Sequence, residues 1–301
     1  QQTRVEAVKG YYARFLDRLP DIAALASCDD DELHKLWEGL GYYSRVRNLK
    51  KAAGVIVSQY GGQFPRDYAA VRALPGIGDY TAGAICSIAF DLPTPAVDGN
   101  VLRVVSRIQN DPTPIDLPAR KKAVQEQLAE IYPAEAGDFT QALMELGATV
   151  CVPNGEPKCA LCPCREICRG RENWQTLPVK LPKRAKKQED RTVFLLRCGD
   201  RYAIEKRPGR GLLADLWQFP NVAGHLTAAQ AVAWTEERGL HPRNVEKSID
   251  RNHIFTHIRW DLRGWFLEVE EAAGGYTWLT LEEIDTQAAL PTAFRQFREE
   301  I

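Results

Sequence analysis

The sequence predicts a mainly α-helical N-terminal half followed by an α+β C-terminal domain. Up to residue 150 the apolar residues recur at helical spacing between proline and glycine breaks. After Arg191 short β-rich runs alternate with turn signals. With 301 residues and 45% hydrophobic residues, the chain is long and apolar enough for two folded domains. No run of about 18 apolar residues, the length needed to span a membrane, occurs in it.

The predicted helices of the N-terminal half follow the spacing of the apolar residues and end at recognisable breaks. Pro20 ends the first helix, Gly41 the third and the Gly61-Gly62 pair the fourth. Most of the apolar stripes are explained by core packing alone. The predicted helices cover residues 5–19, 22–26, 30–40, 44–60, 67–73, 79–90, 99–109, 118–131 and 137–150.

The C-terminal domain is predicted to combine strands with a helix. The runs TVFLLRC and RYAIEKR are separated by Gly199-Asp200, a pair that suits a hairpin turn. A helix is expected over 227–239, with further strands over 244–250, 253–260 and 262–270 and from Trp278. We therefore expect a helical domain over 1–170, a basic linker over 171–191 and an α+β domain over 192–301.

Five of the eight cysteines lie in the segment 151–168, which closes the helical half. Four thiolates within 18 residues suit one metal centre, either a zinc ion or an iron–sulfur cluster. Zinc sites usually pair two short Cys-x-x-Cys knuckles, whereas this segment has one. The pattern therefore favours a 4Fe–4S cluster with four ligands: Cys151, Cys159, Cys162 and Cys168. Cys164 is a neighbouring spare, and Cys28, Cys86 and Cys198 are expected to act as small hydrophobes.

The segment Leu74-Pro75-Gly76-Ile77-Gly78 precedes a predicted helix and suits a phosphate contact. Gly76 and Gly78 allow a tight turn and a close approach of the phosphate, and the first N–H groups of the following helix point towards it. A plain turn between two helices is the simpler interpretation, but the Leu-Pro before the glycines favours a helix-hairpin-helix contact with DNA. A net charge of −1 excludes a histone-like protein without excluding such a contact, since local charge matters more.

Asp98 stands at the start of another predicted helix, in the run Ala96-Val97-Asp98-Gly99-Asn100. A carboxylate in that position is most often an N-cap. It could also stabilise an oxocarbenium-like transition state beside a reacting sugar. The position of Asp98, 20 residues after Gly78, favours the second interpretation.

These three motifs, in this order, resemble the helix-hairpin-helix DNA glycosylase superfamily, in its branch of MutY-type adenine glycosylases. The resemblance extends over essentially the whole chain and rests on QQTRV, EGLGYYSRVRN, LPGIGDYTAGAI, AVDGNVLRV, QALMELGATVC and the cysteine loop. It implies a base-excision repair enzyme that hydrolyses the N-glycosidic bond of adenine paired with 8-oxoguanine or guanine in double-stranded DNA. It also implies a 4Fe–4S cofactor and a monomeric, cytoplasmic bacterial protein that is associated with the nucleoid and does not contact a membrane.

The resemblance implies a role for each residue at a matching position. Asp98 would stabilise the cationic sugar, Tyr80 would assist beside it and Asn100 would orient these groups. Gln141 would read the adenine edge, while Gln2 and Tyr42 would wedge into the base stack. On sequence alone, Tyr42 is better explained as a half-buried aromatic after a glycine. The DNA- and base-binding set is Gln2, Tyr42, Gly76, Gly78 and Gln141.

The general acid of the resembled family is a glutamate just upstream of the QQT motif, and the sequence starts at Gln1. We therefore expect these 301 residues to bind DNA but to excise adenine poorly, and the native upstream segment to restore activity.

The C-terminal half resembles a Nudix domain that has lost its hydrolase ligands. Where a Nudix hydrolase needs an Arg-Glu pair the chain has Val232-Ala233, so too few oxygen ligands remain to hold magnesium. In the family this domain recognises 8-oxoguanine, and the matching segment is Phe255-Thr256-His257, within the predicted strand 253–260. His253 and His257 would then lie on one face of that strand.

The sequence alone leaves three other functions open. A bifunctional glycosylase and lyase similar to endonuclease III would carry lysine at the position of Tyr80 to form a Schiff base, and borohydride trapping on abasic DNA distinguishes it. A non-catalytic lesion-binding module would bind the mispair without forming product. A Nudix hydrolase would release phosphate from an oxidised nucleotide when magnesium is present.

Overall fold

The computed structural model describes residue 3, residues 5–182 and residues 185–301. The described residues form two compact units: one runs from Lys51 to residue 182, and the other combines the residues up to Lys50 with those from Ala185 onward. The C-terminal domain therefore shares a unit with the N-terminal helices, a grouping that the sequence patterns did not indicate. The predicted fold class, helical first and α+β second, is confirmed. In the described part of the chain, every helix is too short or too polar to cross a bilayer.

Among the N-terminal helices, the second and third begin at aspartate caps. Asp21 accepts a hydrogen bond from Ala24 N at 2.7 Å, and Asp29 accepts one from Asp31 N at 2.8 Å. The third helix ends before the predicted residue 40, because Gly39 and Gly41 adopt positive φ angles of 93° and 69° that do not continue a helix. These helices are α1 (Val5–Arg18), α2 (Ile22–Ser27), α3 (Asp30–Leu36) and α4 (Ser44–Tyr60).

The unit that begins at Lys51, here called the helical unit, contains the end of α4, five further α-helices and a cysteine-rich loop. Val101, Leu102 and Val105 of the third of them pack on Val124 and Leu128 of the fourth. A π-helical turn over Leu146–Val150 extends the last helix, and two 3-10 turns, Cys159–Leu161 and Arg165–Ile167, shape the loop. The helices are α5 (Tyr68–Ala73), α6 (Asp79–Phe90), α7 (Gly99–Gln109), α8 (Pro118–Ala129) and α9 (Ala136–Glu145).

The C-terminal domain is built on a seven-stranded sheet. Its strands are β1 (Lys187–Cys198), β2 (Arg201–Lys206), β3 (Trp217–Gln218), β4 (Asn221–Ala223), β5 (Pro242–Ile254), β6 (Ile258–Val269) and β7 (Thr277–Thr280). The main path is β3-β2-β1-β6-β5, with β4 beside β1 and β7 beside β2. β1 runs parallel to β6 and antiparallel to its other partners. The helices are α10 (Ala228–Glu236), α11 (Leu281–Gln287) and α12 (Thr292–Arg298).

Both faces of strand β1 are buried, which explains its continuous apolar run. Successive side chains of a strand point to opposite faces. Val193 and Leu195 belong to the core that contains residues of α11 and α12, whereas Phe194 and Leu196 belong to the core that contains Ala231 of α10. The sheet is therefore a middle layer between helices.

Two predictions for this domain were wrong in their boundaries. The three strands expected over 244–270 are two long strands, β5 and β6, joined by a turn at residues 255–257. The turn has neither glycine nor proline to mark it in the sequence. Strand β1 begins at Lys187, five residues before the predicted run TVFLLRC. The proposed domain boundaries at residues 170 and 191 stay a prediction.

The N-terminal helices are tied to the C-terminal domain by hydrogen bonds to its backbone. Lys35 Nζ donates to Ala288 O at 3.1 Å, and Glu38 Oε1 accepts from Leu290 N at 2.9 Å. Tyr43, Leu216 and Ala289 form a small apolar core between the two segments. These contacts explain why the two ends of the sequence form one unit.

His34 is buried in this unit without a hydrogen-bond partner for either ring nitrogen among the described residues. Its ring packs edge-on against Tyr43, with the ring centroids 6.1 Å apart. Burial lowers the pKa of His34, and the positive charge of Arg47 lowers it further. The negative charges of Asp30, Asp215 and Asp31 raise this pKa, but they do not offset the effect of burial. The histidine is therefore held in its neutral form.

We expect this unit to lose stability in mild acid because of His34. The unfolded chain takes up a proton below a pH of about 6.5, whereas the folded chain resists it, so stability falls with pH by up to about 1.4 kcal/mol per pH unit. Urea unfolding between neutral and acidic pH should show this dependence, and His34→Phe should weaken it. His241→Gln, at an exposed histidine, is the matched control. Identical pH profiles for the parent chain and H34F would contradict the assignment.

Candidate active site

The segment between α5 and α6 forms the hairpin expected from its two glycines. Gly76 has a φ of +77°, which glycine adopts without strain. Gly78 is the N-cap of α6 and offers no side chain to the N–H groups of the first turn. Arg72 fixes the turn by pairing with Asp79 at 2.5 Å and donating to Ile77 O at 2.9 Å. The start of α6 is therefore open to an anion, which the helix dipole favours.

Asp98 caps helix α7 and also contacts Asn100. Its Oδ1 accepts a hydrogen bond from Val101 N at 2.8 Å, and its Oδ2 accepts one from Asn100 Nδ2 at 3.0 Å. The N-cap interpretation and the catalytic interpretation are therefore compatible, because the cap holds the carboxylate in a fixed orientation. Tyr80 lies within electrostatic reach, since burial and then the charge of Asp98 raise the pKa of Tyr80. The phenol of Tyr80 is thus kept protonated.

Arg103 connects this carboxylate to the cysteine loop. It is 6% exposed, and its Nη2 donates to Asn100 Oδ1 at 2.9 Å and to Gly147 O at 2.6 Å. Its Nε donates to Cys151 O at 2.9 Å. Burial lowers the pKa of Arg103, and the charges of Cys151 and Asp98 oppose this effect. One guanidinium therefore holds both the amide that contacts Asp98 and the first cysteine of the loop.

Two glycines allow the close packing that this network needs. A Cβ on Gly83 would lie 2.2 Å from Pro95 O, so only glycine lets α6 approach the segment that leads to Asp98. A Cβ on Gly147 would lie 2.7 Å from the Cβ of Asn100. Real Cβ atoms do not tolerate such distances, and the neighbours here are a backbone carbonyl and the Cβ of Asn100, which cannot swing away as the end of a flexible side chain could.

Gln141 lies apart from this network in the structure. It is exposed on α9, and its Nε2 donates to Gly137 O at 3.2 Å. It lines an open cleft with Arg66, Asp91 and Asp138. Among the described residues, Gln141 makes no hydrogen bond with Tyr80, Asp98 or Asn100. Gln2, the other base-contacting residue expected near the site, lies outside the described residues.

The cysteines of the loop line one cavity, here called the cysteine cavity. Arg107 lies on the wall and donates from Nη1 to Cys151 Sγ at 3.2 Å, while its other N–H groups bind the carbonyls of Val152, Trp174 and Leu177. The cysteines of the cavity are Cys151, Cys159, Cys162, Cys164 and Cys168.

The four predicted ligands influence one another within this cavity. Burial raises the pKa of the Cys168 thiol, and the charges of Cys151, Cys159 and Cys162 raise it further. Among the described residues, no three metal-binding side chains converge closely enough for a single ion. A set of thiols around one cavity, with an arginine donating to a sulfur, fits the donor set and the second-sphere hydrogen bond of an iron–sulfur site.

The three cysteines outside the loop differ in their burial. Cys86 is buried in an apolar cluster, as expected. Cys28 is also buried, but its Sγ donates to Asp29 O at 3.3 Å and to Glu32 Oε2 at 3.7 Å, while Cys198 is half-buried beside the second core of the sheet.

The turn between β5 and β6 consists of Phe255, Thr256 and His257. The expectation that these residues lie within a strand is therefore wrong. Lys186 Nζ donates to Phe255 O at 2.7 Å, and Phe255 N donates to Ile258 O at 2.8 Å. Because His253 lies in β5 and His257 lies in the turn, the expectation that they share one strand face is wrong. Thr256 and His257 are exposed.

Tyr42 extends from the N-terminal segment to this turn. Its hydroxyl lies 3.3 Å from Thr256 Oγ1, within hydrogen-bond distance. Tyr42 is 53% exposed and has a φ of +46°, which is unusual for a residue with a side chain. The ring is thus about half-exposed, as expected of a half-buried aromatic after a glycine, and the strained backbone presents it at the surface. The role of Tyr42 as a wedge in the base stack stays a prediction. The structure brings Tyr42 and Thr256 together, although 214 positions separate them in the sequence.

The residues predicted from the sequence did not include Arg103, Gly83 or Gly147. The signal for Arg103 was available, since a charged residue within the apolar run Val101-Leu102-Arg103-Val104-Val105 requires buried partners. The two glycines gave no such signal, because a close approach depends on segments distant in sequence.

Known proteins share both halves of this architecture. The family model of the HhH-GPD superfamily base excision DNA repair proteins matches residues 1–134, and that of the NUDIX domain matches residues 192–300. The adenine DNA glycosylases of Mus musculus and Homo sapiens are each 34% identical over 98% of this chain, which spans 68% and 65% of those proteins. The chain belongs to the adenine DNA glycosylase family. The adenine DNA glycosylase of Buchnera aphidicola subsp. Acyrthosiphon pisum is 30% identical, over 86% of this chain and 73% of that protein.

Solved structures support the fold of the helical part of this DNA glycosylase. A thermostable thymine-DNA glycosylase superposes with a TM-score of 0.51 and 29% identity, over 57% of this chain and 80% of that one. A non-covalent endonuclease III–DNA complex superposes with a TM-score of 0.50 and 26% identity, over 58% of this chain and 80% of that one. The protein is therefore a DNA-binding enzyme of base excision repair.

We expect Arg103→Ala to destabilise the helical unit of this glycosylase. The change leaves the oxygens of Asn100, Gly147 and Cys151 without their donor, and each buried unsatisfied group costs about 1–3 kcal/mol. Urea unfolding should show a loss of at least about 3 kcal/mol. Arg165→Ala, at an exposed arginine of the cysteine loop, is the control and should leave stability within about 0.5 kcal/mol of the parent. Equal effects of the two variants would contradict the buried network.

Proposed function

We propose that this glycosylase removes adenine paired with 8-oxoguanine or guanine from double-stranded DNA, without cleaving the strand. The observation that carries the proposal is the Asp98–Asn100–Arg103 chain of hydrogen bonds beside Tyr80. A fixed carboxylate at a helix start is the group that an oxocarbenium-like transition state requires.

The reaction needs the adenine nucleotide out of the base stack, since its glycosidic bond is inaccessible inside the duplex. The open N–H groups at the start of α6 bind a phosphate and fix the strand. Asp98 then lies beside the sugar, and its negative charge stabilises the positive charge that develops as adenine leaves. Asn100, held by Arg103, keeps the carboxylate aimed at that charge. A water molecule attacks the sugar, and adenine leaves with a proton from a general acid, for which the resemblance implies a glutamate that precedes the QQT motif.

Tyr80 supports hydrolysis without strand cleavage. A lyase needs an amine that forms a Schiff base with the sugar. Tyr80 has a phenol, and its raised pKa keeps that phenol neutral beside Asp98. It therefore contributes a hydrogen-bond donor to the site and cannot become the covalent nucleophile of an imine mechanism.

We propose that the cysteine cavity holds a 4Fe–4S cluster bound by Cys151, Cys159, Cys162 and Cys168. Proteins related to endonuclease III and to adenine glycosylases are generally iron–sulfur proteins, and the four thiols lie around one cavity here. The cluster, when bound, supplies a rigid crosslink of the loop with a redox-active centre. Arg107 donates to Cys151 Sγ, and Arg103 binds the carbonyl of the same residue, so the loop is held to α7.

Recognition of 8-oxoguanine is proposed for the turn between β5 and β6. Thr256 and His257 are exposed there, and the Tyr42 hydroxyl lies beside Thr256. Hydroxyl and imidazole groups can bind the extra oxygen and N–H of the oxidised base or its phosphate. Phe255 anchors the turn, because its ring packs edge-on against the buried Trp260 with the centroids 4.9 Å apart.

Asp98→Asn tests the catalytic proposal. Asparagine keeps the N-cap of α7 but removes the negative charge. In a chain that carries the native upstream segment, single-turnover excision of adenine opposite 8-oxoguanine should therefore fall by about 10²–10³. Affinity for the duplex should stay close to that of the parent. Asp67→Asn makes the same change at the cap of α5, where no catalytic role is proposed, and should keep full activity. Excision by D98N at the parental rate would refute the role of Asp98.

Thr256→Ala tests the lesion-reading turn. Loss of one hydrogen bond costs about 0.5–1.5 kcal/mol, so the preference for adenine opposite 8-oxoguanine over adenine opposite guanine should fall by roughly 2- to 10-fold. Binding of both duplexes, measured by fluorescence anisotropy, gives this ratio. Thr256→Ser keeps the hydroxyl and should keep the preference. An unchanged ratio in T256A would show that the turn does not read the lesion through this hydroxyl.

A further inference from the structure

Cys164 lines the cysteine cavity together with the four proposed ligands, yet the proposed cluster leaves it without a role. Its thiol is half-buried, and a single residue, Pro163, separates it from the proposed ligand Cys162. Cys164 is therefore a fifth thiol of the same cavity.

Cys162 is the proposed ligand closest to Cys164 along the chain. Cys162 ends the first 3-10 turn of the loop, where its N–H donates to Cys159 O at 3.2 Å. Cys164 begins the second 3-10 turn, where its carbonyl accepts from Ile167 N at 3.3 Å. Only Pro163 separates the two cysteines, so their Cα atoms are at most about 7 Å apart. Either thiol can reach the same side of the cavity by a local adjustment of this short connection.

Cys151 has a different environment. It follows the π-helical turn, and its carbonyl and sulfur are bound by Arg103 and Arg107. Its position is therefore set by helix α7, on a segment that Cys164 does not share. Replacement of Cys151 by Cys164 would require the second 3-10 turn to move across the cavity.

We propose that Cys164 is a reserve ligand for the iron held by Cys162, and that it binds this iron when the bond to Cys162 is lost. Cys164 loses its proton as its sulfur binds the iron, and the departing Cys162 thiolate takes up one proton. The number of ligands and the net charge of the site are then unchanged. This inference rests on the proposed iron–sulfur cluster.

Cysteine-to-alanine variants test the proposal through iron content, acid-labile sulfide and the visible absorption band of the purified protein. C162A should retain most of the iron and sulfide of the parent, with a shifted band because one ligand has changed. C162A/C164A should lose both, and C164A alone should keep both. C151A, which retains Cys164, is the control and should lose its cluster, because the replacement is local.

Each outcome decides one part of the argument. A parent protein without iron and sulfide would refute the cluster itself, whereas a loaded parent with an empty C162A would refute only the reserve role of Cys164. An intact cluster in C151A would refute the pairing of Cys164 with Cys162. If circular dichroism shows that C162A does not fold, a second measurement replaces it: the rate at which the parent and C164A release iron to a chelator under mild oxidation. C164A should release iron several times faster than the parent, and equal rates would overturn the proposal.

Discussion

The buried guanidinium of Arg103 is the interaction on which the helical unit depends. A buried charge is costly unless its hydrogen-bonding groups are satisfied. The acceptors of Arg103 come from helix α7, the π-helical turn and the cysteine loop. None of the three segments can move without leaving the arginine short of a partner. The orientation of Asn100 and the path of the loop are therefore fixed by the same residue, although neither is adjacent to the other in sequence.

Around this arginine, the candidate chemistry is concentrated at helix starts. The hairpin leaves the first N–H groups of α6 free of a cap side chain, while α7 is capped by the carboxylate that is proposed to act on the sugar. One oxygen of Asp98 satisfies the helix and the other contacts Asn100, so a structural requirement and a catalytic one are met by a single residue. Gly83 and Gly147 allow the backbone to approach closely enough for this arrangement.

The C-terminal domain combines a buried central strand with exposed turns. Its central strand β1 is covered on both faces, by one core with residues of α11 and α12 and by another with a residue of α10. The lesion recognition proposed for this domain is therefore placed in a turn, which a rigid sheet can present. Phe255 anchors one such turn on buried Trp260, while Thr256 stays exposed and meets Tyr42 from the opposite end of the sequence. The shared unit of the two chain ends is what makes this pairing possible.

The sequence alone determined the features that depend on local physics. Helix α7 and the turn at Gly199-Asp200 follow from side-chain periodicity, caps and glycine conformations, and the cysteine set follows from spacing. Tertiary structure decided the rest: the hydrogen-bond partners of Arg103, the exposure of Tyr42, the turn at Phe255 and the grouping of the first 50 residues with the C-terminal domain. These features depend on contacts between segments far apart in sequence, and local propensities carry no information about such contacts.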